Sequence, residues 1–213
     1  DGLHVMADPA PAREAVTQGI RDLPAMGNPG LLETVVPALS LADAMLRKAP
    51  VRVAVVYITD SSIYRYREDY TNPVINQSDP HDLSRRFPES LIDEKFSKLV
   101  DATAVLEAPL FIVHLHNRSD RLNRAYQNGL ETLAAATGGR TELCRSVAEI
   151  PQAISATFER ISSAWRLTLS LPPKVHGLAQ VRLNARSAGD EVRLSWRTHV
   201  EVKEPKPHPA KKP

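Results

Sequence analysis

The stretch from Val51 to Asp60 (VRVAVVYITD) constrains this chain more than any other. It is a β-branched run of nearly continuous hydrophobicity, which predicts a strand covered on both faces within a parallel sheet. Parallel strands need long crossovers, usually helical, so a chain built on such a strand is expected to be α/β. The run ends in Thr59, Asp60, Ser61 and Ser62, oxygens placed just past the carboxyl end of a strand. Open α/β sheets hold their ligands there.

The surrounding patterns fit that expectation. Gly2 to Met6 is a short strand candidate, and Asp8-Pro9 supplies a helix cap and first-turn proline. A helix to about Leu23 then meets Pro24, and Gly27-Asn-Pro-Gly30 is a loop. Leu31 to Lys48 has a wide apolar face, with Pro37 predicting a kink or break near its first turns. Ser61 to Pro88 is long, polar and studded with Tyr64, Tyr66 and Tyr70, the sort of loop that is usually functional or mobile. A helix is expected from Glu89 to Leu106, with Val105 among its inward residues. Pro109 to Leu115 is a second buried strand, and Arg121 to Thr137 a helix ended by Gly138-Gly139. Thr141 to Cys144 reads as a short strand. Val147 to Ser163 reads as a helix with Phe158 on its inner face.

After that the period changes to two. Ala164–Leu171, Gln180–Ala185 and Glu191–Val200 alternate as half-exposed antiparallel strands, with Trp165 and Trp196 expected to face their shared core. Residues 203–213 (KEPKPHPAKKP) are too charged and proline-rich to pack, and read as a disordered basic tail. The expected organisation is thus an α/β domain over 1–163, an antiparallel segment over 164–202 and the tail.

Composition narrows the function classes. A formal charge of +2 over 213 residues gives no whole-protein field to draw in nucleic acid or membrane. No apolar run approaches the roughly 20 residues of a membrane helix. A single cysteine, Cys144, excludes an internal disulfide and a cysteine-rich zinc site. Asp1 reads as a cut rather than a natural start, with no signal peptide following it. The chain shows no Gly-x-Ser-x-Gly elbow, no paired catalytic carboxylates and no phosphate cradle at GNPG, so it is not read as an enzyme.

The run of strand, helix, GNPGLLETV, helix and VVYITD resembles the second half of a von Willebrand factor type A domain. LETLAAATGGR (Leu130–Arg140) and VAEIPQAI from Val147 are similar to the closing part of bacterial members. ISSAWRLTLSLP from Ile161 is similar to the strand that follows the domain in the acidobacterial subgroup. The resemblance spans roughly Gly2 to Val200. It implies a three-layer, Rossmann-like, mostly parallel sheet flanked by helices, an exported bacterial protein, and binding of another protein through a metal-ion-dependent adhesion site. That site would hold Mg²⁺ or Mn²⁺, and Asp60 falls on its third-loop aspartate. The second-loop threonine falls in GNPG, where Pro29 offers no oxygen and Asn28 or Thr34 would stand in. The family's Asp-x-Ser-x-Ser loop is missing, so the site is expected to be degenerate.

Asp60, Ser62 and Asn28 are therefore the metal candidates. Ser61, Tyr64, Tyr66, Tyr70 and Asn117 are the partner-contact candidates, tyrosine and the neighbouring Arg65 and Arg67 being hot-spot residue types. Each has a plainer reading: Asp60 as a turn cap, the serines as loop solubilisers, the tyrosines as an insertion packed on itself. Two alternatives stand beside the adhesion reading. One is a structural or assembly domain without metal, whose partner meets the antiparallel segment. The other is a metal-dependent hydrolase using His114 and His116, which lie two apart at a strand end and so would share a face.

Overall fold

Three parallel strands form the centre of the computed structural model, which describes residues 3–6, 13–23, 30–63, 89–165, 167, 170–171, 175–184 and 194–202. In chain order the elements are α1 (Arg13–Arg21), α2 (Leu31–Lys48), β1 (Val55–Thr59), α3 (Glu89–Thr103), β2 (Leu110–His114), α4 (Arg121–Ala136) and β3 (Thr141–Leu143). A 3₁₀ turn at Val147–Glu149 leads into α5 (Ile150–Ser162), and β4 (Gly177–Gln180) and β5 (His199–Val202) close the chain's regular structure. The sheet order is β1-β2-β3, with Val55 opposite Leu110, Thr59 opposite His114, and Ile112 opposite Thr141. Helices connect these parallel neighbours, as the apolar run required.

Side-chain alternation divides the sheet into two faces. Leu110 and Ile112 of β2, with Val55 and Tyr57 of β1, meet Leu32, Val35 and Leu39 of α2, Ile92 and Phe96 of α3, and Tyr126, Leu130 and Leu133 of α4. Each fully buried leucine or isoleucine there contributes about 1.5–3 kcal/mol. Helix α5 covers the opposite face over β2 and β3. The described part of the α/β unit is thus three-layered.

The strand expected to be covered on both faces lies, among the described residues, at an edge of the sheet. Among the described residues β1 has β2 on one side only, its Val55 to Tyr57 are half-buried, and Ile58 is 52% exposed. Helix α5 lies over β2 and β3 and leaves the β1 end of that face uncovered by described residues. The doubly covered strand is β2, buried at all five positions.

Other expectations change too. Leu3 to Met6 are exposed and join neither sheet, and α1 leaves Val16 and Ile20 exposed. Helix α2 runs unbroken through Pro37, which is exposed near its first turns. Val105 lies past the end of α3 and is exposed. In α5 the buried residue is Thr157, while Phe158 is 54% exposed. Trp165 is 92% exposed, so only Trp196 turns inward, its indole N–H donating to the Val181 carbonyl at 3.1 Å. The antiparallel pair is β4 with β5, Gly177 opposite Val202 and Gln180 opposite His199. It is displaced from the predicted runs: β4 shares only Gln180 with Gln180–Ala185, β5 shares only His199 and Val200 with Glu191–Val200, and the described residues of Ala164–Leu171 form no strand, while 166, 168–169 and 185–193 lie outside the described residues.

Two polar ties set the sheet's amino-terminal edge. The buried Asp43 of α2 accepts from the Glu107 amide at 2.7 Å and pairs with Arg47 at 2.5 Å. Arg197, ahead of β5, donates to the Ala104 carbonyl past the end of α3 at 2.6 Å, and Gly138 packs against the Arg197 backbone. The antiparallel pair is therefore tied to the helical layer. Burial lowers the Arg197 pKa, partly offset by the charges of Glu107 and Asp43.

Candidate functional site

The carboxyl ends of β1 and β2 carry the loops that hold the sequence candidates, Thr59 to Ile63 and Leu115 to Asp120. Both are pinned from beneath. The Leu115 amide donates to the Thr59 carbonyl at 2.8 Å, and the Ser61 amide to Thr59 Oγ1 at 3.1 Å. Ser61 Oγ and Tyr126 OH lie 2.7 Å apart, and Asn123 Oδ1 accepts from the Ile63 amide at 3.0 Å. Asn123 in turn donates to Asp120, whose other oxygen caps α4 by accepting from the Asn123 amide at 3.1 Å. On the second loop, the Gln127 carboxamide accepts from the Arg118 amide and donates to the Arg118 carbonyl, both at 2.8 Å. The Asn117 amide donates to the Cys144 carbonyl at 2.8 Å.

His114 sits at the middle of this network, fully buried on the core side of β2. Its Nε2 is 2.8 Å from the Ser61 carbonyl, and Nδ1 faces the His116 amide at 3.4 Å. A carbonyl accepts and an amide donates, so the proton belongs on Nε2 and the ring is neutral. Burial is the main force holding its pKa below the ordinary imidazole value. The Arg118 and His116 charges add to this, while the Ser61 carbonyl and Asp60 oppose it.

A depressed histidine pKa means the unfolded chain takes up the proton first. This contribution to stability is whole above about pH 6.5 and is lost as pH falls through the lower folded value. We expect urea unfolding midpoints to drop between about pH 7.5 and about pH 5.5, either side of that ordinary value. His114→Gln keeps a donor for Ser61 but does not titrate, so it should flatten the slope in that window. A variant slope equal to the parent's would remove His114 as its source.

The candidates separate clearly by position. Asp60 is exposed at the carboxyl edge, and Asn117 is half-buried beside the exposed His116. Ser61 and Ser62 face inward, Ser61 with its hydroxyl against Tyr126, so neither presents a side chain to a partner's surface. Asn28, Tyr64, Tyr66 and Tyr70 lie outside the described residues. Thr34 is committed elsewhere, donating to the Gly30 carbonyl at 2.6 Å and accepting from Tyr57 at 2.8 Å. The histidines do not share a face, because β2 ends at His114 and both of that ring's nitrogens are engaged by backbone.

A hard divalent cation needs several oxygens around one point. Among the described residues no group of three acidic, histidine or cysteine side chains stands close enough to hold a metal. Of the metal candidates, Asp60 is exposed, Ser62 is buried and Asn28 lies outside the described residues.

Asn123, Tyr126 and Gln127, which hold the loops, were not among the sequence candidates. Their signal was readable: polar groups recur at helical spacing on the inward face of α4, beside Leu122 and Leu130. A buried asparagine or glutamine must find partners, and loop backbone at a sheet end is the usual source. Comparison with protein-family models, with curated proteins and with solved structures finds no match to this chain.

Proposed function

We propose that the chain is a protein-binding module of the von Willebrand A class, engaging its partner through the carboxyl edge of the parallel sheet. One observation carries this reading. Two loops are fixed by a buried hydrogen-bond network while Asp60 and His116 above it stay exposed. Fixing a contact surface in advance reduces what binding must spend on ordering it. Asp60 is the residue at which a cation would attach first, with further oxygens required from the partner or from outside the described residues.

The test compares partners retained by the immobilised full chain with those retained by an Asp60→Ala/Asn117→Ala double variant, each with and without EDTA. Loss in the double variant, with retention by an amino-terminal-edge control such as Glu107→Ala, is the expected result. Retention undiminished in the double variant would end the reading. Calorimetric titration of Mg²⁺ and Mn²⁺ into parent and Asp60→Ala settles the metal separately: heat lost in the variant makes the contact metal-dependent.

A second reading, an assembly domain, is favoured by the apolar side chains exposed around the antiparallel segment, Trp165, Leu167, Leu178 and Leu194. Partner retention that ignores both EDTA and the edge variants, but is lost in a Trp165→Ser/Leu178→Ser variant, would select it.

A further inference from the structure

Two loops of the carboxyl edge meet at one ring. His114 Nε2 is 2.8 Å from the Ser61 carbonyl in the loop after β1, and the His116 amide, in the loop after β2, donates to Nδ1 at 3.4 Å. A neutral imidazole can serve both, donating from one nitrogen and accepting at the other. An imidazolium donates from both and accepts at neither. A proton on Nδ1 would therefore face the His116 N–H, donor against donor.

The conflict cannot relax in place, because both sides of it are held. The ring is fully buried, and turning it gives up the Ser61 carbonyl. The His116 peptide is held from either side, the Leu115 amide donating to the Thr59 carbonyl and the Asn117 amide to the Cys144 carbonyl, each at 2.8 Å. Either the ring leaves Ser61 or the segment carrying His116 and Asn117 leaves the ring. The tie between the loops is lost both ways. Local opening at a sheet edge costs less than unfolding the core, so the loops give way first.

The groups around the ring set when this happens. From its own loop Arg118 and His116 repel a proton on the ring, and from the loop after β1 Asp60 attracts it. Helix α4 brings the Tyr126 hydroxyl, 2.7 Å from Ser61 Oγ, and the Asp120 carboxylate at its cap, bonded to Asn123. From the end of β3 comes the buried Cys144 thiol, kept in its neutral form by burial and by the charges of Glu149 and Glu142. Burial of the ring weighs most, so His114 is neutral at neutral pH and takes a proton only on acidification. We propose that His114 is an acid-operated release for the carboxyl edge: protonating its ring unties the two loops and takes His116 and Asn117 out of their binding arrangement while the α/β core stays folded. The proposal rests on the protein-binding reading for what is released.

The test is a titration of the ¹⁵N-labelled full chain in EDTA from about pH 7.5 to about pH 4.5, a range that spans imidazole and stops above the ordinary carboxylate midpoints. Long-range ring ¹⁵N–¹H spectra report the tautomer and protonation of His114, the amides of residues 61–63 and 115–118 report the loops, and circular dichroism reports the fold. The expected result is an Nε2–H tautomer at the start, then loop amides that shift together at the midpoint of the His114 ring with the dichroism unchanged. His116→Gln removes the exposed titrating neighbour and should leave that transition in place, whereas His114→Gln should abolish it. Loop amides that ignore His114, that follow His116 instead, or that move only as the dichroism is lost overturn the proposal, and so does an Nδ1–H tautomer. The parent and His116→Gln titrations decide this without His114→Gln, should that variant not fold. Partner retention by the immobilised chain should fall at least several-fold across the same midpoint, and retention unchanged through a loop transition that the amides do show overturns the release. Partner loss in the Asp60→Ala/Asn117→Ala variant without a His114-linked transition fails this inference alone. A His114-linked transition with retention indifferent to that double variant fails the protein-binding reading instead.

Discussion

Gly139→Ala should be among the most destabilising single substitutions in this protein, costing on the order of 4 kcal/mol. Gly138 and Gly139 end α4 in a Schellman pattern, with the Gly138 amide donating to the Ala135 carbonyl at 3.0 Å and the Gly139 amide to Ala134 at 2.9 Å. Gly138 supplies the positive φ, +87°, that the pattern needs. Gly139 has another duty: a Cβ there would stand 1.8 Å from the Leu110 carbonyl oxygen, at the start of the central strand. Backbone cannot swing aside as a side chain can, so either α4 or β2 must shift. The Leu110 amide bond to Thr137 Oγ1 (2.9 Å) and the Ile112 amide bond to the Arg140 carbonyl (2.9 Å) lie in the path of that shift. A loss on the order of 4 kcal/mol is expected, against a total of about 5–15 kcal/mol for an ordinary domain.

Two other glycines calibrate the result. At Gly129 the new methyl meets the Phe96 ring, a side chain with somewhere to move, and about 1–3 kcal/mol is expected. At Gly19, in α1, nothing lies within 4 Å, and alanine should stabilise by about 0.5–1 kcal/mol through helix propensity. Denaturant melts of the three variants should rank in that order. A Gly139→Ala protein that melts like the parent would show that α4 does not approach β2 as described.

The second large effect is expected at Asp43. Its carboxylate joins α2 to the turn before β2, accepting from the Glu107 amide, and pairs with Arg47 one turn along. The two bonds are unequal. Arg47 is 65% exposed, so solvent screens that pair and it contributes little. The amide bond sets the turn's position, and alanine would strand the donor beside a carboxylate-sized void. Asp43→Ala should cost about 2–3 kcal/mol. Asp43→Asn, which keeps an acceptor oxygen, should cost less than half as much, and Arg47→Ala about 0.5 kcal/mol or less. Equal losses in Arg47→Ala and Asp43→Ala would mean that the ion pair, not the amide, is the stabilising contact.

The candidate site was legible in part. Asp60 sits at a strand's carboxyl end and is exposed, because the end of an apolar run is visible in sequence and the place such ends occupy is a property of parallel sheets. Ser61, one residue on, faces the other way. Nothing in a serine says whether its hydroxyl meets water or Tyr126, since that depends on which helix passes beneath it. His114 and His116 were paired by the two-residue period, but the period holds only while the strand does, and β2 stops at His114. Arg118 drew no notice because its position depends on Gln127, nine residues away on the next helix. The inward polar stripe of α4 was the one available signal for these contacts.

What the sequence determined by itself is local and periodic. It determined the apolar strands, the amphipathic helices between them and the paired glycines closing α4, because each follows from a few neighbouring residues obeying the geometry of one element; the period-two runs after Ser163 did not mark where β4 and β5 lie. What only the tertiary structure decided is which strand is central. Val51 to Ile58 and Pro109 to Leu115 are equally apolar, yet β2 lies between two strands while β1 has a neighbour on one side among the described residues. The same holds for Trp165, left exposed beyond the end of α5, and for Asp43 and Arg197, ordinary surface charges in sequence that become ties between layers. Burial is a property of what is placed opposite a residue, and pairings between distant segments leave no period in the chain that makes them.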